Sequence, residues 1–206
     1  TVNAVIGHEA LETGLQVTTP RADEVQMFLA RMVEAGLTHA VLETTSHGLA
    51  QGRLGGVDFD AAVLTNVTHE HLDFHGSWEQ YRRDKGRVFE LAATTPRKPG
   101  VPKIAVINAD DPSADAFRAW SAGVDRVLTY ALAPRPGVDM WAEDVEYLPD
   151  ATRLTLVGPD GARQALTSPM FGAFNVANIL AASAAALALL GDDLPRWGDA
   201  VLRGVA

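Results

Sequence analysis

Three histidines and two carboxylates follow an apolar run within residues 64–76 of this chain. The segment reads LTNVTHEHLDFHG, and Tyr81 and Lys85 come soon after it. The apolar run predicts a buried strand, which would deliver these polar side chains to a site at its end. A second apolar run ends upstream at Glu43, where hydroxyl and imidazole side chains follow in the segment TTSHG. Because parallel strands place their carboxyl ends at one edge, the pattern predicts a single polar, metal-dependent site.

Glu43 and His71 are the candidate metal ligands. An ionised Glu43 carboxylate at the end of a buried strand needs a partner, and Mg²⁺ would supply one through oxygen coordination. A helix cap or an ion pair is an equally weighted alternative for Glu43. His71 lies nearest the strand end, and Asp73 could orient it. Taken alone, each of His69, His71 and His75 is more simply interpreted as a hydrogen-bonded loop histidine, since no recognised zinc spacing occurs.

Lys85 stands on the apolar face of a predicted helix, one turn from Tyr81 and Phe89. A lysine that extends its ammonium to solvent is the ordinary interpretation of such a position. A desolvated lysine can instead lose its proton and react. The neighbouring metal-site candidates keep this second interpretation open.

Hydroxyl, amide and guanidinium donors form a further group, suited to an anionic ligand rich in amides. Its members are Thr18, Thr19, Thr45, Gln51 and Arg53. Each could alternatively be a cap or turn residue. Near the C-terminus, Asn175 could cap the helix that it opens. Asn178, one turn further on, is better explained by contact with a group outside the helix.

Strand-like and helix-like segments alternate, which predicts an α/β fold with a mostly parallel sheet flanked by helices. The predicted strands cover residues 39–42, 60–65, 103–107 and 126–130. Helices are predicted from residue 20 to 36, 77 to 93, 175 to 190 and 195 to 202. Short alternating runs broken by Pro-Asp and Pro-Asp-Gly predict a small antiparallel β meander near 138–168. Glu43, residues 65–73 and residues 108–111 would follow strand ends and could share one crevice.

Composition limits the class of protein. The chain has 206 residues, a net charge of −9 and no cysteine. The acidic balance argues against nucleic-acid binding, and the lack of cysteine excludes disulfides and thiolate zinc sites. The sequence shows no signal peptide, and its longest apolar stretch, 179–190, is too short to span a bilayer. A cytoplasmic protein without membrane insertion is therefore expected.

Taken in order, these motifs resemble the central domain of the Mur ligases, and within that family the UDP-N-acetylmuramoyl-tripeptide synthetases. The matching segments are TTP (18–20), E-x-TSHGLAQGR (43–53), TN (65–66), HLDFHG (71–76), Tyr81 with Lys85, N-x-DD (108–111) and FNV-x-N (174–178). The resemblance implies a P-loop NTPase-like fold. It also implies an ATP-dependent ligase that adds the third amino acid to UDP-N-acetylmuramoyl-L-alanyl-D-glutamate through an acyl phosphate.

The resemblance also implies roles for individual residues. Glu43 would bind one Mg²⁺ and His71 a second, and Lys85, carbamylated by CO₂, would be a further ligand of the second ion. The muropeptide would be held by Thr18, Thr19, Thr45, Gln51 and Arg53. Asn178 would contact the adenine of ATP, and Asn108 and Asp110 would also belong to the nucleotide site. Thr45 replaces the usual serine and Glu70 the usual aspartate, and both keep the chemistry. The partners would be the UDP-muramoyl-dipeptide and a free amino acid, bound by a monomer.

The family's Gly-x-x-Gly-Lys-Thr phosphate loop does not occur in these 206 residues. The chain is therefore expected to be a truncated central domain, without the phosphate loop, the N-terminal UDP-binding domain or the C-terminal amino-acid-binding domain, and inactive alone. Two alternatives are another ligase of the superfamily, such as a folylpolyglutamate synthase, and a non-catalytic module that binds nucleotide or muropeptide. A metal-dependent hydrolase built on the histidines is a third, which the absence of a recognised ligand spacing disfavours.

Overall fold

The computed structural model describes residues 3–6, 9–12, 18–67, 72–191 and 194–205. Within these ranges the chain forms two compact units. The first takes in residues 1–57 and 69–88, and the second residues 58–68 and 89–206. The units interleave in sequence, because a short segment of the second lies between the two segments of the first.

The first unit contains a β-hairpin and several helices. Its elements are β1 (Asn3–Ile6), β2 (Glu9–Glu12), α1 (Ala22–Glu34), α2 (Ser46–Ala50), α3 (Leu72–His75) and the first turns of α4 (Trp78–Thr94). At the start of α1 the Glu24 carboxylate accepts a 2.9 Å hydrogen bond from the backbone N–H of Arg21. This bond satisfies a donor that the helix itself leaves unpaired. α1 buries Val25 and Phe28, whereas Val33, near its C-terminal end, is 74% exposed.

Residues 39–42, predicted as a buried strand, form no strand. They are irregular and mostly exposed, and Val41 reaches 96% exposure. A strand needs a neighbour to satisfy its N–H and C=O groups, and an apolar run does not specify that neighbour. The described residues contain one six-stranded sheet, and residues 61–64 form the strand at one of its edges. The prediction was therefore wrong, and Glu43 lies in a loop.

The second unit is built on that six-stranded sheet. Its strands, in spatial order, are β3 (Ala61–Leu64), β4 (Ile104–Asn108), β5 (Arg126–Ala131), β6 (Met140–Tyr147), β7 (Thr152–Val157) and β8 (Arg163–Ser168). β3 to β6 run parallel, whereas β6, β7 and β8 are antiparallel. The remaining helices are α5 (Ala114–Trp120), α6 (Ala173–Leu190) and α7 (Leu194–Val205). The α/β class, the predicted strands from residue 60 onward and the β meander are confirmed, although the meander extends the parallel sheet.

α6 forms the centre of the second unit's core. Its residues Val176, Ile179 and Leu180 are at most 1% exposed, and they belong to the same apolar cluster as Ile104 and Val106 of β4. The helix is longer than the apolar stretch noted in the sequence. By length and composition alone it could cross a membrane. Its buried face identifies it instead as a core helix, because a helix that is apolar on most sides is suited to a protein interior.

A lysine is buried where β4 begins. Lys103 is 0% exposed, and its ammonium donates to the carbonyl of Phe59 and, at 3.2 Å, to the Thr95 hydroxyl. The Asp60 carboxylate lies 3.3 Å from the same nitrogen. A buried charge is tolerated only when it is paired and hydrogen-bonded in this way. Lys103 therefore ties the start of β4 to Phe59 and Asp60, which precede β3, and to Thr95, which follows α4.

Asp125 couples the second unit's stability to pH. Its carboxylate accepts a 2.8 Å hydrogen bond from the backbone N–H of Lys103 and bonds of 2.7 and 2.6 Å from Arg97. These contacts, the backbone bond first, hold the pKa of Asp125 below its ordinary value. A lowered pKa stabilises the fold above the unfolded-state pKa of about 3.9, and the stabilisation disappears as pH falls through the folded-state pKa.

We therefore expect Asp125→Asn to be less stable than the wild type above about pH 5, with the difference shrinking below about pH 4. Urea denaturation at a series of pH values measures this directly. A stability difference that stays constant down to pH 2 would show that the contacts of Asp125 do not depend on its charge.

Candidate functional site

The hydroxyl of Thr19 organises the loop that carries Glu43. Thr19 is 1% exposed, and its Oγ1 donates to the Glu43 carbonyl at 3.0 Å and accepts from the backbone N–H of Thr45 at 2.9 Å. The Thr45 hydroxyl lies 3.0 Å from the same oxygen, so it donates to Thr19. It also accepts from the N–H of Gly48 at 3.1 Å and thereby caps α2. Thr19 thus holds the backbone of this loop at two points, the Glu43 carbonyl and the Thr45 N–H.

Gly48 allows this loop and Thr19 to approach closely. A Cβ at position 48 would lie 2.8 Å from the Cβ and Cγ2 atoms of Thr19. Such a distance is too short for two carbon atoms, and Thr19 cannot move without losing its hydrogen bonds. Packing against Thr19 therefore requires a glycine at this position of the TSHG motif.

The predicted muropeptide-binding residues all belong to the first unit. Arg53 is half-buried and donates to the Thr19 carbonyl at 2.8 Å, while Gln51 caps the C-terminus of α2 and is exposed. Thr18 and Thr45 are half-buried. The Thr19 hydroxyl already makes intramolecular hydrogen bonds, so in this structure its role is to hold the loop.

Two of the three predicted metal ligands are described, and both lie in the first unit. Glu43 is exposed in its loop, not buried at a strand end as predicted. Lys85 is half-buried on α4, and its Nζ lies 5.3 Å from the centre of the Tyr81 ring, which is 1% exposed. His71, together with His69 and Glu70, lies outside the described residues. No group of three or more His, Asp or Glu side chains forms a metal site within the described ranges.

The donor set nevertheless suits a hard cation. The Glu43 side chain is an exposed carboxylate, and its backbone is fixed through Thr19. Mg²⁺ is typically bound through one or two carboxylates together with substrate phosphates, and it keeps several water ligands. An exposed carboxylate on a fixed loop fits that mode of binding better than a closed protein cage.

A buried polar chain in the same unit was not predicted from the sequence. His75 Nε2 lies 3.0 Å from the Ser46 hydroxyl, and His75 Nδ1 lies 2.9 Å from an Asp84 carboxylate oxygen. The interpretation of His75 as hydrogen-bonded is confirmed, although it ends α3 and does not lie in a loop. Asp84 was missed. Its signal was its spacing, because residues 81, 84 and 88 share one face of a helix.

In the second unit, residues that follow β4 hold the segment that follows β3. The Asn108 side-chain amide donates to the Thr65 carbonyl at 2.6 Å, and its oxygen accepts from the N–H of Asp110 at 2.9 Å. Asp111 is buried and accepts from the N–H of Val67 at 2.5 Å. Of the residues predicted to share one crevice, 65–67 and 108–111 are in contact, whereas residues 68–71 lie outside the described ranges and Glu43 belongs to the first unit. In this structure their polar side chains bind the backbone.

Tyr130 of β5 adds to this network. Its hydroxyl donates to the Leu64 carbonyl at 3.0 Å. Burial, followed by the charges of Asp110 and Asp111, raises the pKa of Tyr130 well above its ordinary value. The phenol therefore stays a neutral donor at physiological pH. Asp110 itself accepts from the N–H of Leu132 at 2.7 Å.

Asn178 is exposed on the first turns of α6. Its amide lies 3.4 Å from the Asn175 side-chain oxygen, a long contact, so it remains available to another partner. Asn175 is not the N-cap, because that position belongs to Gly172 with a φ of 89°. Asn175 lies inside the first turn, and its amide donates to the Phe171 carbonyl at 2.7 Å.

Comparisons with known proteins agree with this arrangement. Residues 1–186 match the family model of the Mur ligase middle domain. A UDP-N-acetylmuramoyl-L-alanyl-D-glutamate--2,6-diaminopimelate ligase of Gloeobacter violaceus is 48% identical over 172 residues, covering 84% of this chain and 32% of that protein. A UDP-N-acetylmuramyl-tripeptide synthetase of a Roseiflexus species is 45% identical over 195 residues, covering 91% of this chain and 37% of that protein.

A solved structure of a UDP-N-acetylmuramoyl-L-alanyl-D-glutamate--2,6-diaminopimelate ligase superposes on the chain with a TM-score of 0.76. It is 36% identical, and the match covers 91% of this chain and 36% of that one. The chain thus spans about a third of the length of these relatives. Since the middle-domain model covers most of the sequence, the chain belongs to the Mur ligase family and contains that family's middle domain.

Proposed function

We propose that this chain is the central part of an ATP-dependent ligase that adds the third amino acid to UDP-N-acetylmuramoyl-L-alanyl-D-glutamate in peptidoglycan synthesis. The observation that carries the proposal is its 48% and 45% identity to proteins named for this step. The two matches cover 84% and 91% of the chain. The phosphate loop and the UDP-binding and amino-acid-binding domains would be supplied by flanking parts of a longer polypeptide.

The first unit supports the muropeptide part of this proposal. The UDP-muramoyl-dipeptide is anionic and rich in amides, so hydroxyl, amide and guanidinium donors suit it. Thr18, Gln51 and Arg53 provide such donors close to the buried Thr19, whereas the Thr45 hydroxyl, which already donates to Thr19, would contribute through its oxygen. Thr19 would contribute by placing Thr45 and the Arg53 guanidinium.

The proposed reaction has two steps. The D-glutamyl carboxylate attacks the γ-phosphorus of ATP, and ADP leaves. The amine of the third amino acid then attacks the resulting acyl phosphate, forming the amide and releasing inorganic phosphate. Glu43 and His71 would each hold one Mg²⁺, and the two ions would neutralise charge on the transferred phosphoryl group. The chain's own task is to orient the muropeptide carboxylate.

Lys85 is proposed to carry a carbamate. Its neutral amine would attack CO₂ and lose a proton, which converts a cationic side chain into an anionic oxygen ligand for the second Mg²⁺. Its half-buried position supports this assignment, because the site is partly shielded from water. An oxygen ligand suits Mg²⁺, whereas an ammonium does not.

The second unit would contribute to the nucleotide site. Asn178, exposed on α6, would contact the adenine. Asn108 and Asp110 would contribute to the same nucleotide site indirectly, by holding the backbone at Thr65 and Leu132 in place. We further propose that the whole ligase is cytoplasmic, since its proposed substrates are soluble nucleotide and amino-acid compounds, and that it acts as a monomer.

The proposal is tested by phosphate release from ATP in the presence of Mg²⁺, the muropeptide and 2,6-diaminopimelate or lysine. The full-length protein should release phosphate only when both the muropeptide and an amino acid are present. The 206-residue chain alone should stay at background, because it has no Gly-x-x-Gly-Lys-Thr loop to hold the β- and γ-phosphates. Muropeptide-stimulated release by the isolated chain would contradict the assignment of the phosphate-binding part to flanking sequence.

A further inference from the structure

Ser46, His75 and Asp84 form a continuous buried chain of hydrogen bonds. The three residues are 3%, 8% and 3% exposed. The Asp84 carboxylate can only accept, so the proton lies on His75 Nδ1, which donates across 2.9 Å. In the neutral ring the other nitrogen then accepts from the Ser46 hydroxyl across 3.0 Å. The chain thus links the first turn of α2 with α3 and α4.

Arg87 adds a second connection between α4 and α2. Its Nη2 lies 2.8 Å from the other carboxylate oxygen of Asp84. Its Nη1 donates to the carbonyls of Leu49 and Ala50, both at 3.3 Å, where α2 ends. Asp84 therefore connects through His75 to the start of α2 and through Arg87 to its end.

The two connected helices carry different parts of the proposed site. Thr45 caps the start of α2 and Gln51 its end, and both are assigned to the muropeptide. Lys85 follows Asp84 directly on α4. Any change in the bonds of Asp84 would shift the muropeptide-binding helix relative to Lys85.

An apolar cluster could hold the same helices together without the desolvation cost of a buried carboxylate, imidazole and hydroxyl. A hydrogen-bonded polar network instead fixes one relative position of the elements that it joins. The order of groups is that of a hydrolase triad, but Ser46 is only 3% exposed, so the geometry does not favour a nucleophile.

We propose that Ser46, His75, Asp84 and Arg87 form a positioning relay that sets the muropeptide-binding helix α2 against the Lys85-bearing helix α4. The inference rests on the proposed function and goes beyond it, because none of the four residues is assigned to substrate or metal. They are positioning residues, and they act on the reaction through Thr45, Gln51 and Lys85.

The test compares buried serines in the full-length ligase. Ser46→Ala removes one hydrogen bond of the relay. Ser121→Ala is the matched control, because Ser121 is 2% exposed and its hydroxyl donates to the Phe117 carbonyl at 2.8 Å in the second unit. Both variants should lose thermal stability. Only Ser46→Ala should raise the muropeptide KM, roughly tenfold for one lost bond, with the KM for ATP unchanged.

Two further variants make the test independent of any one substitution. Arg87→Met keeps the aliphatic stem of a half-exposed side chain and should also raise the muropeptide KM. Asp84→Asn should lower kcat as well, and Ser46→Ala/Asp84→Asn should be no worse than Asp84→Asn alone, because both changes interrupt one chain. If Ser46→Ala and Arg87→Met match Ser121→Ala in both KM values, the relay is only structural and the inference is overturned. A wild-type ligase that does not use the muropeptide would instead overturn the proposed function.

Discussion

Lys85→Arg should nearly abolish turnover of the full-length ligase while leaving its thermal stability close to that of the wild type. Arginine keeps the positive charge on a slightly longer side chain, but its guanidinium does not form a carbamate. If the oxygens of a lysine carbamate are required, the loss should be on the order of 10²- to 10³-fold in kcat, as for other preorganised electrostatic contacts. Initial rates and thermal melts on the same samples measure both quantities.

Lys85→Ala should also be inactive, but short-chain carboxylic acids should partly restore its activity. Such an acid can occupy the vacated space and offer the missing oxygens. Lys98→Arg is the matched control, since Lys98 pairs with Asp60 in the second unit and should tolerate the change. An active Lys85→Arg enzyme, or an alanine variant that no acid revives, would show that Lys85 acts as a cation or a structural lysine.

Glu43→Ala and His71→Ala should each lower turnover far more than they lower folding stability. The Glu43 side chain is exposed, and its loop is held by backbone contacts that alanine keeps, so the fold should tolerate the change. Loss of a ligand that stabilises the transferred phosphoryl group should cost about 2.7 to 4 kcal/mol in the transition state. For His71 the same result is expected from its place in the HLDFHG motif.

Glu34→Ala and His39→Ala are suitable controls, because both residues are exposed and lie outside the proposed site. Their rates should match the wild type. If the Glu43 and His71 variants melt early but are fully active per folded molecule, both residues have a structural role. Raising the Mg²⁺ concentration should partly restore turnover in the site variants only, which distinguishes a metal ligand from a substrate contact.

Much of the fold could be predicted from the sequence, since the sheet follows local patterns. β4 is five consecutive buried residues, and its apolar run predicts that state directly. The Ser77 cap of α4 was likewise predictable, and its hydroxyl accepts from the N–H of Gln80 at 3.1 Å. Residues 39–42 were mispredicted because burial of a strand depends on a partner that local pattern does not identify.

The site was less predictable, because several side chains serve the backbone. Asn108 was expected beside a nucleotide, and position alone could not show that its amide holds the Thr65 carbonyl. Asp84, next to Lys85 in sequence, was not predicted as a site residue, although this buried carboxylate connects two helices. Gly172, with a positive φ, is the N-cap of α6, whereas the sequence favoured Asn175 for that position. Long-range polar contacts leave no periodic signal in the sequence, so only the three-dimensional structure shows them.

The most direct test of the account is to identify the product of the full-length ligase. The enzyme is incubated with ATP, Mg²⁺, UDP-N-acetylmuramoyl-L-alanyl-D-glutamate and a mixture of amino acids, and the uridine-containing compounds are analysed by mass spectrometry. We expect an ATP-dependent UDP-muramoyl-tripeptide that is nearly absent with Lys85→Arg. An unchanged dipeptide with the wild-type enzyme, or equal tripeptide formation by the Lys85→Arg variant, would contradict it.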